Sequence, residues 1–444
     1  MNSDNKLKKK LITIDDALGM IQSNFSIVSA MAASEPTGIC SRLHEAAERV
    51  KDVSVCTCLP MQPYKWYMDP AMKGHFFNEG WFYGPAIRKA HKEAGTCSFI
   101  PNHLHQAGTD RLYNHKPNMF IGTCTKPDRF GYVSLSLGVT YERLMIEAAD
   151  TVILEVNENM PRTYGDTIVH LDEIDYLIDN TAPIPELGEV PISDKDRMIG
   201  RYISDLIEDG STIQLGIGGI PNAVAAELMH KKDLSIHTEM FTDGMVDLYE
   251  AGVIGTVPRS VREKILTGKM VATFALGTKK LYDFLHENPA VAIMRGDWVN
   301  DPYVIAQNHK QVSINTCLEI DLTGQVSSES IGPTQFSGTG GQADTAIGAQ
   351  KSEGGRSFIA LYSTASIKQP DGTRKTVSKI APHLALGAAV TLHRSNIDHV
   401  VTEYGVAKLK GVSIHERAKR LISIAHPDFR DWLEEEAKKV GFIV

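Results

Sequence analysis

The chain has 444 residues, of which 42% are hydrophobic and 23% are charged, and its formal net charge at pH 7 is −8. This composition is ordinary for a globular protein with a full core, and it excludes a disordered or fibrous chain. The negative charge argues against a general nucleic-acid-binding surface. A site for a polyanionic ligand would therefore need local basic groups or backbone donors.

The N-terminal segment and the cysteines predict a cytoplasmic protein without a membrane span. The first residues, MNSDNKLKKKLITIDDAL, hold a basic cluster without a following apolar segment, and no run of about 18 uncharged apolar residues occurs. No C-x-x-C pair or zinc-site spacing relates the six cysteines, Cys40, Cys56, Cys58, Cys97, Cys124 and Cys317. We therefore expect reduced thiols and no metal site.

Apolar, β-rich segments alternate with amphipathic helical segments through most of the chain. This pattern predicts an α/β fold with largely parallel sheets. The predicted strands are residues 151–156, 212–216, 270–276, 291–294 and 357–362. Helices are predicted at residues 194–207, 222–231 and 279–287, and the chain closes with a helical segment at residues 413–440.

A proline-rich segment predicts the boundary between two domains. Residues 181–193, TAPIPELGEVPIS, hold three prolines and little hydrophobic periodicity, which is typical of an extended connection. We place the boundary there, so that residues 1–185 form an N-terminal α/β domain and residues 186–444 form a C-terminal α/β domain.

The first candidate ligand-binding segment is a glycine-rich turn. A predicted strand runs into Gly216, Gly218 and Gly219, and Pro221 lies in the first turn of the following helix. Glycines let the backbone approach a ligand, and free N–H groups at the start of a helix attract anions. A tight turn without a ligand explains the same pattern. The third spaced glycine of a dinucleotide-binding fingerprint is absent.

A carboxylate follows a short β-rich segment in SIHTEMFTDGMVDLYEAGVI. The segment ends at Thr238 and Glu239, and the turn-forming pair Asp243 and Gly244 comes next. In open α/β sheets ligands gather beyond the carboxyl ends of strands, so Glu239 is a candidate reactive group. A solvated or helix-capping glutamate is the alternative interpretation.

A second glycine-rich segment, FSGTGGQADTAIGAQKSEGG, predicts exposed backbone N–H groups. Such groups can form an oxyanion hole or a phosphate nest. A flexible surface loop is the alternative, although apparent strands flank the segment. Its glycines are Gly338, Gly340, Gly341, Gly348, Gly354 and Gly355.

Four further polar residues are candidates only in combination with these segments. Asn300, Lys368 and Glu403, each taken alone, fit surface or capping positions, and His237 fits a core or capping histidine. The chain shows no nucleophilic serine elbow and no Cys–His signature.

Together, and in chain order, these segments resemble the acetyl-CoA hydrolase/transferase family. The resemblance covers nearly the whole chain. In the N-terminal half it rests on NEGWF and EVNENMPRTYGDTIVH. In the C-terminal half it is carried by QLGIGGIPNAV, HTEMFTDGMVDLYEAGVI, GTKKLYDF, FSGTGGQAD, VTEYGVAKLKG and IAHPDFRD.

The resemblance implies two open α/β domains of the CoA-transferase type, with the active site in the cleft between them. By motif position it implies that Glu239 is the nucleophile, that Asn300 holds the reacting carboxylate and that Gly341 is an oxyanion donor. Where relatives often carry a more lysine-rich stretch, this chain has Ser-Ile-Lys-Gln. The positions that match CoA contacts are Gly216, Ile217, Gly218, Gly219, Ile220, Ser337, Gly338, Gly340 and Lys368.

The activity implied by this resemblance is CoA transfer between short-chain acyl-CoA, such as acetyl-CoA or butyryl-CoA, and acids such as 4-hydroxybutyrate, butyrate or acetate. CoA would be a substrate and a covalent glutamyl thioester intermediate. No metal or tightly bound cofactor is expected, nor a nucleic-acid or membrane partner, and a homodimer is expected. The alternatives are an acyl-CoA hydrolase that uses Glu239, a non-catalytic CoA-binding module, and, least favoured, a nicotinamide-dependent dehydrogenase.

Overall fold

The computed structural model describes residues 3–188, 190–255, 264–369 and 371–443. Two mainly parallel sheets dominate it, one built from the N-terminal half of the chain and one from the C-terminal half. Within the described ranges no helix combines the length and the apolar character needed to cross a membrane.

The first sheet has seven strands, all parallel, in the order β4-β3-β2-β1-β5-β7-β9. The strands of this half are β1 (Ser26–Ser29), β2 (Val53–Cys58), β3 (Phe76–Phe82), β4 (Cys97–Phe99), β5 (Met119–Cys124), β6 (Tyr132–Ser134), β7 (Thr151–Val156), β8 (Ile168–His170) and β9 (Tyr176–Asp179). The helices are α1 (Ser3–Lys10), α2 (Ile14–Met20), α3 (Thr37–Arg42), α4 (Lys65–Met68), α5 (Pro85–Glu93), α6 (Ala107–Asn114) and α7 (Glu142–Ala148). Every residue of β5 is buried, as a parallel strand covered on both faces requires.

The second sheet has six strands in the order β11-β10-β16-β21-β25-β26, and only the last pair is antiparallel. Its half of the chain contains β10 (Thr212–Leu215), β11 (Ser235–Ile236), β12 (Met240–Phe241), β13 (Met270–Ala272), β14 (Phe274–Ala275), β15 (Val291–Ile293), β16 (Gln311–Thr316), β17 (Glu319–Asp321), β18 (Val326–Ser327), β19 (Ser330–Ile331), β20 (Thr334–Gln335), β21 (Arg356–Ala360), β22 (Thr364–Lys368), β23 (Arg374–Ser378), β24 (Ile380–Ala381), β25 (His399–Thr402) and β26 (Gly405–Lys408).

The helices of the C-terminal half cover this sheet and its edges. They are α8 (Asp194–Ser204), α9 (Gly219–Glu227), α10 (Asp243–Glu250), α11 (Lys279–Leu285), α12 (Gly296–Val299), α13 (Pro302–Ile305), α14 (Gln342–Lys351), α15 (Ile414–Ser423) and α16 (Pro427–Lys439). Short 3₁₀ helices occur over Ala32–Ser34, Leu43–Ala46, Pro70–Met72, Leu104–Gln106, Leu171–Glu173 and Arg394–Asn396.

The two halves are joined by backbone hydrogen bonds as well as by side-chain packing. Val139 N donates to Thr273 O over 3.0 Å, and Ala275 N donates to Leu137 O over 2.8 Å. One cluster of buried apolar residues extends from β1 to β25 and so includes both sheets. The chain from Thr273 to Ala275, in the C-terminal half, is therefore hydrogen-bonded directly to the N-terminal half.

The predicted α/β fold with parallel sheets is confirmed. Strand Thr151–Val156 has the predicted bounds, and the other predicted strands and helices outside residues 270–276 and 413–440 lie in place with ends that differ by a few residues. Residues 181–193, of which residue 189 lies outside the described ranges, contain no strand or helix among those described. The exact boundary between residues 185 and 186 stays a prediction.

Two predicted elements are each divided in two. The predicted strand at residues 270–276 is wrong, because β13 pairs with β15 whereas β14 pairs with β12, and Thr273 separates them. The segment 413–440 is helical as predicted but consists of two helices, because α15 ends at Ser423 and α16 begins at Pro427. Proline lacks the N–H that a continuing helix needs, but it suits the first helical turn.

Two glycine-containing segments are more helical than the sequence indicates. Asp243 and Gly244, predicted as a turn, begin α10 instead. The prediction of exposed backbone throughout the second glycine-rich segment is wrong, since Gln342–Lys351 forms α14 and most of that helix is buried. The residues before Gln342 form the expected loop at the candidate site, and residues 352–355 form a second turn after the helix.

Candidate active site

The backbone of Glu239 is fixed at the junction between the two halves. Glu239 lies between β11 and β12, and its carbonyl oxygen accepts N–H bonds from Thr273 over 3.0 Å and from Phe274 over 3.2 Å. Thr273 is fully buried. The interruption between β13 and β14 thus supplies two donors to this one carbonyl and holds the residue in place.

The Glu239 carboxyl group is partly buried and has one amide donor. Asn300, which is fully buried at the end of α12, donates Nδ2–H to Oε2 over 3.0 Å. The pKa of Glu239 is raised to about 7, mainly by burial and to a smaller extent by Asp344, against the opposing effects of the Asn300 amide and the Gly341 N–H. The group therefore changes charge near neutral pH.

Gly341 packs directly against this carboxyl group. An ideal Cβ on Gly341 would lie 1.9 Å from Oε2 of Glu239 and 2.1 Å from Nδ2 of Asn300. These separations are far below van der Waals contact, so only glycine fits. Gly341 is also the N-cap of α14, and the first N–H groups of a helix have no partners within it. The unpaired N–H groups at the start of α14 therefore lie close to the Glu239 carboxylate.

The loop that contains Gly341 is held by the N-terminal half. Tyr83 N donates to Ser337 O over 3.2 Å, and Leu104 N donates to Gly340 O over 3.1 Å. An ideal Cβ on Gly338 would lie 2.4 Å from the Trp81 carbonyl oxygen, which again leaves room only for glycine. Contacts from the other half therefore determine where the loop lies relative to Glu239.

A cavity of about 210 Å³ opens over Glu239 between the halves. The C-terminal half contributes residues 214–217 and 337–342 to its wall, among others. No lysine, arginine or histidine lies among the described residues that form it. The N-terminal half contributes Met31, Cys58, Leu59, Phe82 and Leu104. The wall from the N-terminal half is therefore largely apolar, whereas the C-terminal half contributes polar residues, among them Gln214, Asn315, Thr316, Ser328 and Gln342.

Most of the predicted site residues meet at this cavity. Those that line it with Glu239 are Gly216, Ile217, Ser337, Gly338, Gly340 and Gly341. Asn300 does not line it but is bonded to the Glu239 carboxyl group. Gly218, with φ 117°, is the N-cap of α9, and Gly219 and Ile220 begin that helix outside the cavity wall.

Three other predicted candidates lie away from the cavity. Lys368 is exposed at the end of β22, which forms a hairpin with β23. Glu403 is buried and bonded to Ser363 N over 2.8 Å and to Lys195 Nζ over 2.9 Å. His237 is a buried core residue whose Nε2 donates to the Val299 carbonyl over 2.8 Å, and burial lowers its pKa to about 3.

Sequence reasoning missed the apolar wall and two polar residues behind the site. Asp344 is buried in the first turn of α14 and contacts His105 from the N-terminal half. Asp344 is the last residue of the FSGTGGQAD segment, but nothing in that segment marks it as a site residue; His105 lies outside every motif, in the segment PNHLHQ, which places two histidines close together. Only the three-dimensional contact identifies the pair.

A thiol also faces the cavity. Burial raises the pKa of Cys58 well above its usual value, and the carboxylates of Glu142 and Glu239 add to that shift. A neutral thiol is a weak nucleophile, so Cys58 contributes surface to the wall rather than a second reactive group. All six cysteines are free and buried, and the described residues contain no cluster of three or more His, Cys, Asp or Glu suited to a metal ion.

Two family models match most of the chain. The acetyl-CoA hydrolase/transferase N-terminal domain matches residues 1–187, and the C-terminal domain of the same family matches residues 277–437. Glu239 lies between the two matched segments, so the interpretation of its role rests on its surroundings.

Known proteins with similar sequences align with nearly the whole chain. The 4-hydroxybutyrate coenzyme A transferase of Clostridium kluyveri is 41% identical over 97% of this chain and 98% of that protein. The succinyl-CoA:cyclohexane-1-carboxylate CoA transferase of Geobacter metallireducens is 40% identical over 99% and 98% respectively. The crystal structure of RipA from Yersinia pestis has a TM-score of 0.89 and 34% identity and covers 100% of both chains.

The surroundings of Glu239 predict a carboxyl group that titrates far above its usual range. Isotope-edited NMR of glutamate carboxyl carbons, assigned by comparison with Glu239→Gln, should show a midpoint near pH 7, with the ionised form above it and the neutral form below it. Asn300→Ala should raise the midpoint further, because the lost amide donor stabilises the ionised form. A wild-type midpoint below about 5, close to that of an ordinary glutamate, would contradict the proposed environment.

Proposed function

The chain belongs to the acetyl-CoA hydrolase/transferase family, and from this we infer that it is a CoA-transferase that moves CoA between short-chain acyl-CoA and short-chain carboxylates. One observation carries the proposal for its mechanism. A partly buried glutamate, bonded to a buried amide and packed against a glycine N-cap, lines a cavity between the two halves. We assign Glu239 as the nucleophile that becomes the glutamyl-CoA thioester.

The first half of the reaction transfers CoA to Glu239. A carboxylate oxygen attacks the thioester carbonyl of acyl-CoA, the C–S bond breaks, and the CoA thiolate leaves a mixed anhydride. The thiolate then attacks the Glu239 carbonyl carbon, the anhydride C–O bond on that side breaks, and the first acid departs. A second acid attacks the glutamyl thioester and reverses these steps, which restores the Glu239 carboxylate.

Asn300 and Gly341 have distinct parts in this proposal. Asn300 binds Oε2 of Glu239. Oε1 has no side-chain hydrogen bond to any residue that the structure describes, which makes it the oxygen available for attack. The Gly341 N–H faces the same carboxyl group and would stabilise the oxyanions of the tetrahedral intermediates. Loss of one such donor typically costs on the order of 3 kcal/mol.

The apolar wall favours transfer over hydrolysis. Leu59, Phe82 and Leu104 offer no donor or acceptor side chain to water in front of Glu239, and Met31 offers only a weakly accepting thioether. A water molecule there would hydrolyse the anhydride or the enzyme thioester, so its exclusion preserves the intermediate for the second acid. Hydrolysis through the same glutamate is the second candidate function, and it would appear as release of free CoA without an acceptor.

The cavity favours small monocarboxylates as substrates. Its volume is about 210 Å³, and no basic side chain among the described residues lines it. A second carboxylate, as in succinate, would be desolvated there without a cationic partner. We therefore propose acetyl-CoA or butyryl-CoA as donor, with 4-hydroxybutyrate, butyrate and acetate as interchangeable acids.

We propose that the phosphates of CoA bind outside this cavity. Gly216, Ile217 and Gly338 would contact the part of CoA near the thiol, since they line the wall beside Glu239. Lys368 lies on the β22–β23 hairpin directly opposite Arg374, with Lys375 adjacent. This exposed hairpin places three basic residues together in a chain whose net charge is −8, which suits a phosphate contact.

Three further proposals complete the assignment. We propose a homodimer and a cytoplasmic location, the latter supported by six free, buried cysteines. We also propose that catalysis needs no tightly bound cofactor, because the thioester already activates the acyl group and the thiolate is a good leaving group.

Replacement of the nucleophile should abolish transfer. Glu239→Gln, which cannot attack a thioester, should lower kcat by at least about 100-fold. The matched control is Glu319→Gln, which removes a partly buried carboxyl group with a raised pKa that does not line the cavity; it should retain transfer. Circular dichroism checks that both variants fold. Activity of Glu239→Gln above that limit would remove Glu239 from the mechanism.

The covalent intermediate can be trapped directly. Borohydride added with butyryl-CoA should reduce the glutamyl thioester, and mass spectrometry of the digest should place the change on the peptide that contains Glu239. The same treatment of Glu239→Gln should leave that peptide unchanged. Modification of another residue, or none during active turnover, would contradict a glutamyl-CoA mechanism.

Steady-state kinetics should be ping-pong, because the first acid leaves before the second enters. Initial rates measured against acyl-CoA at several fixed acid concentrations should give parallel double-reciprocal lines. Release of free CoA without an acid should be slow in comparison. Intersecting lines that persist after correction for substrate inhibition would indicate a ternary complex instead.

Acid preference should follow the charge and the size of the cavity. With one common donor, kcat/KM should be compared for acetate, butyrate and 4-hydroxybutyrate. Each added methylene or hydroxyl group should change it by no more than about 200-fold. Succinate and octanoate should be worse, the first through desolvation of its second carboxylate and the second through steric overlap. Succinate is the decisive acid, because several relatives are named for succinyl-CoA. If it proved the best substrate, the proposed pocket would be wrong.

A further inference from the structure

Behind the nucleophile, a second buried carboxylate is held by the N-terminal half. Asp344 is 1% exposed and lies in the first turn of α14, three residues after Gly341. Its Oδ1 accepts from His105 Nδ1 over 2.8 Å, and its Oδ2 accepts from the His105 backbone N–H over 3.2 Å. One residue of the other half therefore binds both carboxylate oxygens.

The contact continues along the backbone into the glycine loop. Leu104 N donates to Gly340 O over 3.1 Å, and Leu104 itself lines the cavity. Three hydrogen bonds from two consecutive residues thus hold the segment from Gly340 to Asp344 against the N-terminal half. That segment includes Gly341, whose backbone touches Glu239.

Asp344 also acts on Glu239 through its charge. The two carboxylates are near enough for Asp344 to raise the pKa of Glu239, and Asp344 is buried while Glu239 is partly buried. Like charges in such surroundings oppose one another strongly unless a cation compensates. The only basic side chains within 4 Å of the Asp344 carboxylate in the described part of the chain are His105 and, at 3.8 Å, His103.

His105 is placed to supply that compensating charge. Burial lowers its pKa, but the bond to Asp344 and the nearby carboxylates of Asp301 and Asp110 outweigh burial and raise it. The ring of His103 stacks on that of His105 at 6.0 Å and is more exposed. Cys58 also lines the cavity, and the Glu239 carboxylate contributes to the raised pKa that keeps its thiol neutral.

We propose that His105 is a positioning residue that acts on Glu239 through Asp344: as an imidazolium it neutralises Asp344 and so keeps the nucleophile ionised. The pair joins the two halves, so the charge that assists Glu239 is present only when the cleft is assembled. This inference rests on the assignment of Glu239 as nucleophile. It assigns no contact between His105 and substrate.

The test uses opposite shifts in two variants and their combination. In His105→Gln the Asp344 charge is uncompensated, so the Glu239 midpoint and the acid limb of kcat/KM should move up by about 0.5 to 1 pH unit. In Asp344→Asn the repulsion is gone, so both should move down. The double variant should resemble Asp344→Asn, because His105 then has no anion to neutralise. A purely structural contact predicts lost activity in both variants without opposite shifts.

Two controls keep the outcome decisive. His103→Gln, a neighbouring histidine with a longer contact to Asp344, should shift the midpoint less than half as far as His105→Gln. Isotope-edited NMR of the Glu239 carboxyl group gives the same shifts without any assay of transfer, so it tests this inference even if the proposed reaction is wrong. Shifts of equal sign in His105→Gln and Asp344→Asn, or no shift in either, would overturn the proposal.

Discussion

The contact between the Gly341 backbone and the Glu239 carboxyl group is the constraint on which the site depends. Because not even a methyl group fits between Gly341, Glu239 and Asn300, the start of α14 is brought as close to the carboxylate as backbone atoms allow. The helix then continues away as buried structure, which fixes the direction of its first N–H groups. The same loop is bound by residues of the N-terminal half, so that half also determines the distance between Gly341 and Glu239.

Burial of the carboxyl group has two opposing consequences. Burial limits the access of water, which would lower the nucleophilicity of the carboxylate or hydrolyse the intermediate. It also contributes most to raising the pKa of Glu239 to about 7, which favours the unreactive neutral form. Asn300 is buried and donates to one carboxylate oxygen. It therefore lowers the pKa of Glu239 and stabilises the ionised form without closing the cavity. The groups that bind the carboxyl group directly are therefore one amide and nearby backbone, and the proposed cation, His105, acts on it only through Asp344.

Local sequence patterns were sufficient for the fold class and for the glycine-rich turns, whereas the grouping of Asn300 and Gly341 with Glu239 was expected only from the resemblance of their motifs to the family. Glycine spacing and strand-to-helix turns predict where a backbone can approach a ligand. The wall made by Met31 and Leu104 was not predictable, since residues far apart in sequence meet there only through packing. The division at Thr273 was missed for a similar reason, because residues 270–276 form one apolar run and only the change of partner strand interrupts it. The helical start at Gln342 was hidden by its glycine-rich surroundings.

The described residues that line the cavity include no basic side chain, and this agrees with how the charge on Glu239 changes during the proposed reaction. A cation beside Glu239 would stabilise its ionised form but would lower its basicity and hence its reactivity toward a thioester. Once CoA is attached, Glu239 is neutral, so an incoming carboxylate meets no like charge at the reacting atom. The carboxylate of a monocarboxylic acid loses its charge when it attacks and forms the anhydride. A second carboxylate would remain charged and buried without a partner. The anionic part of CoA must therefore be recognised elsewhere, which leaves the reacting centre to discriminate by volume and by the number of charges.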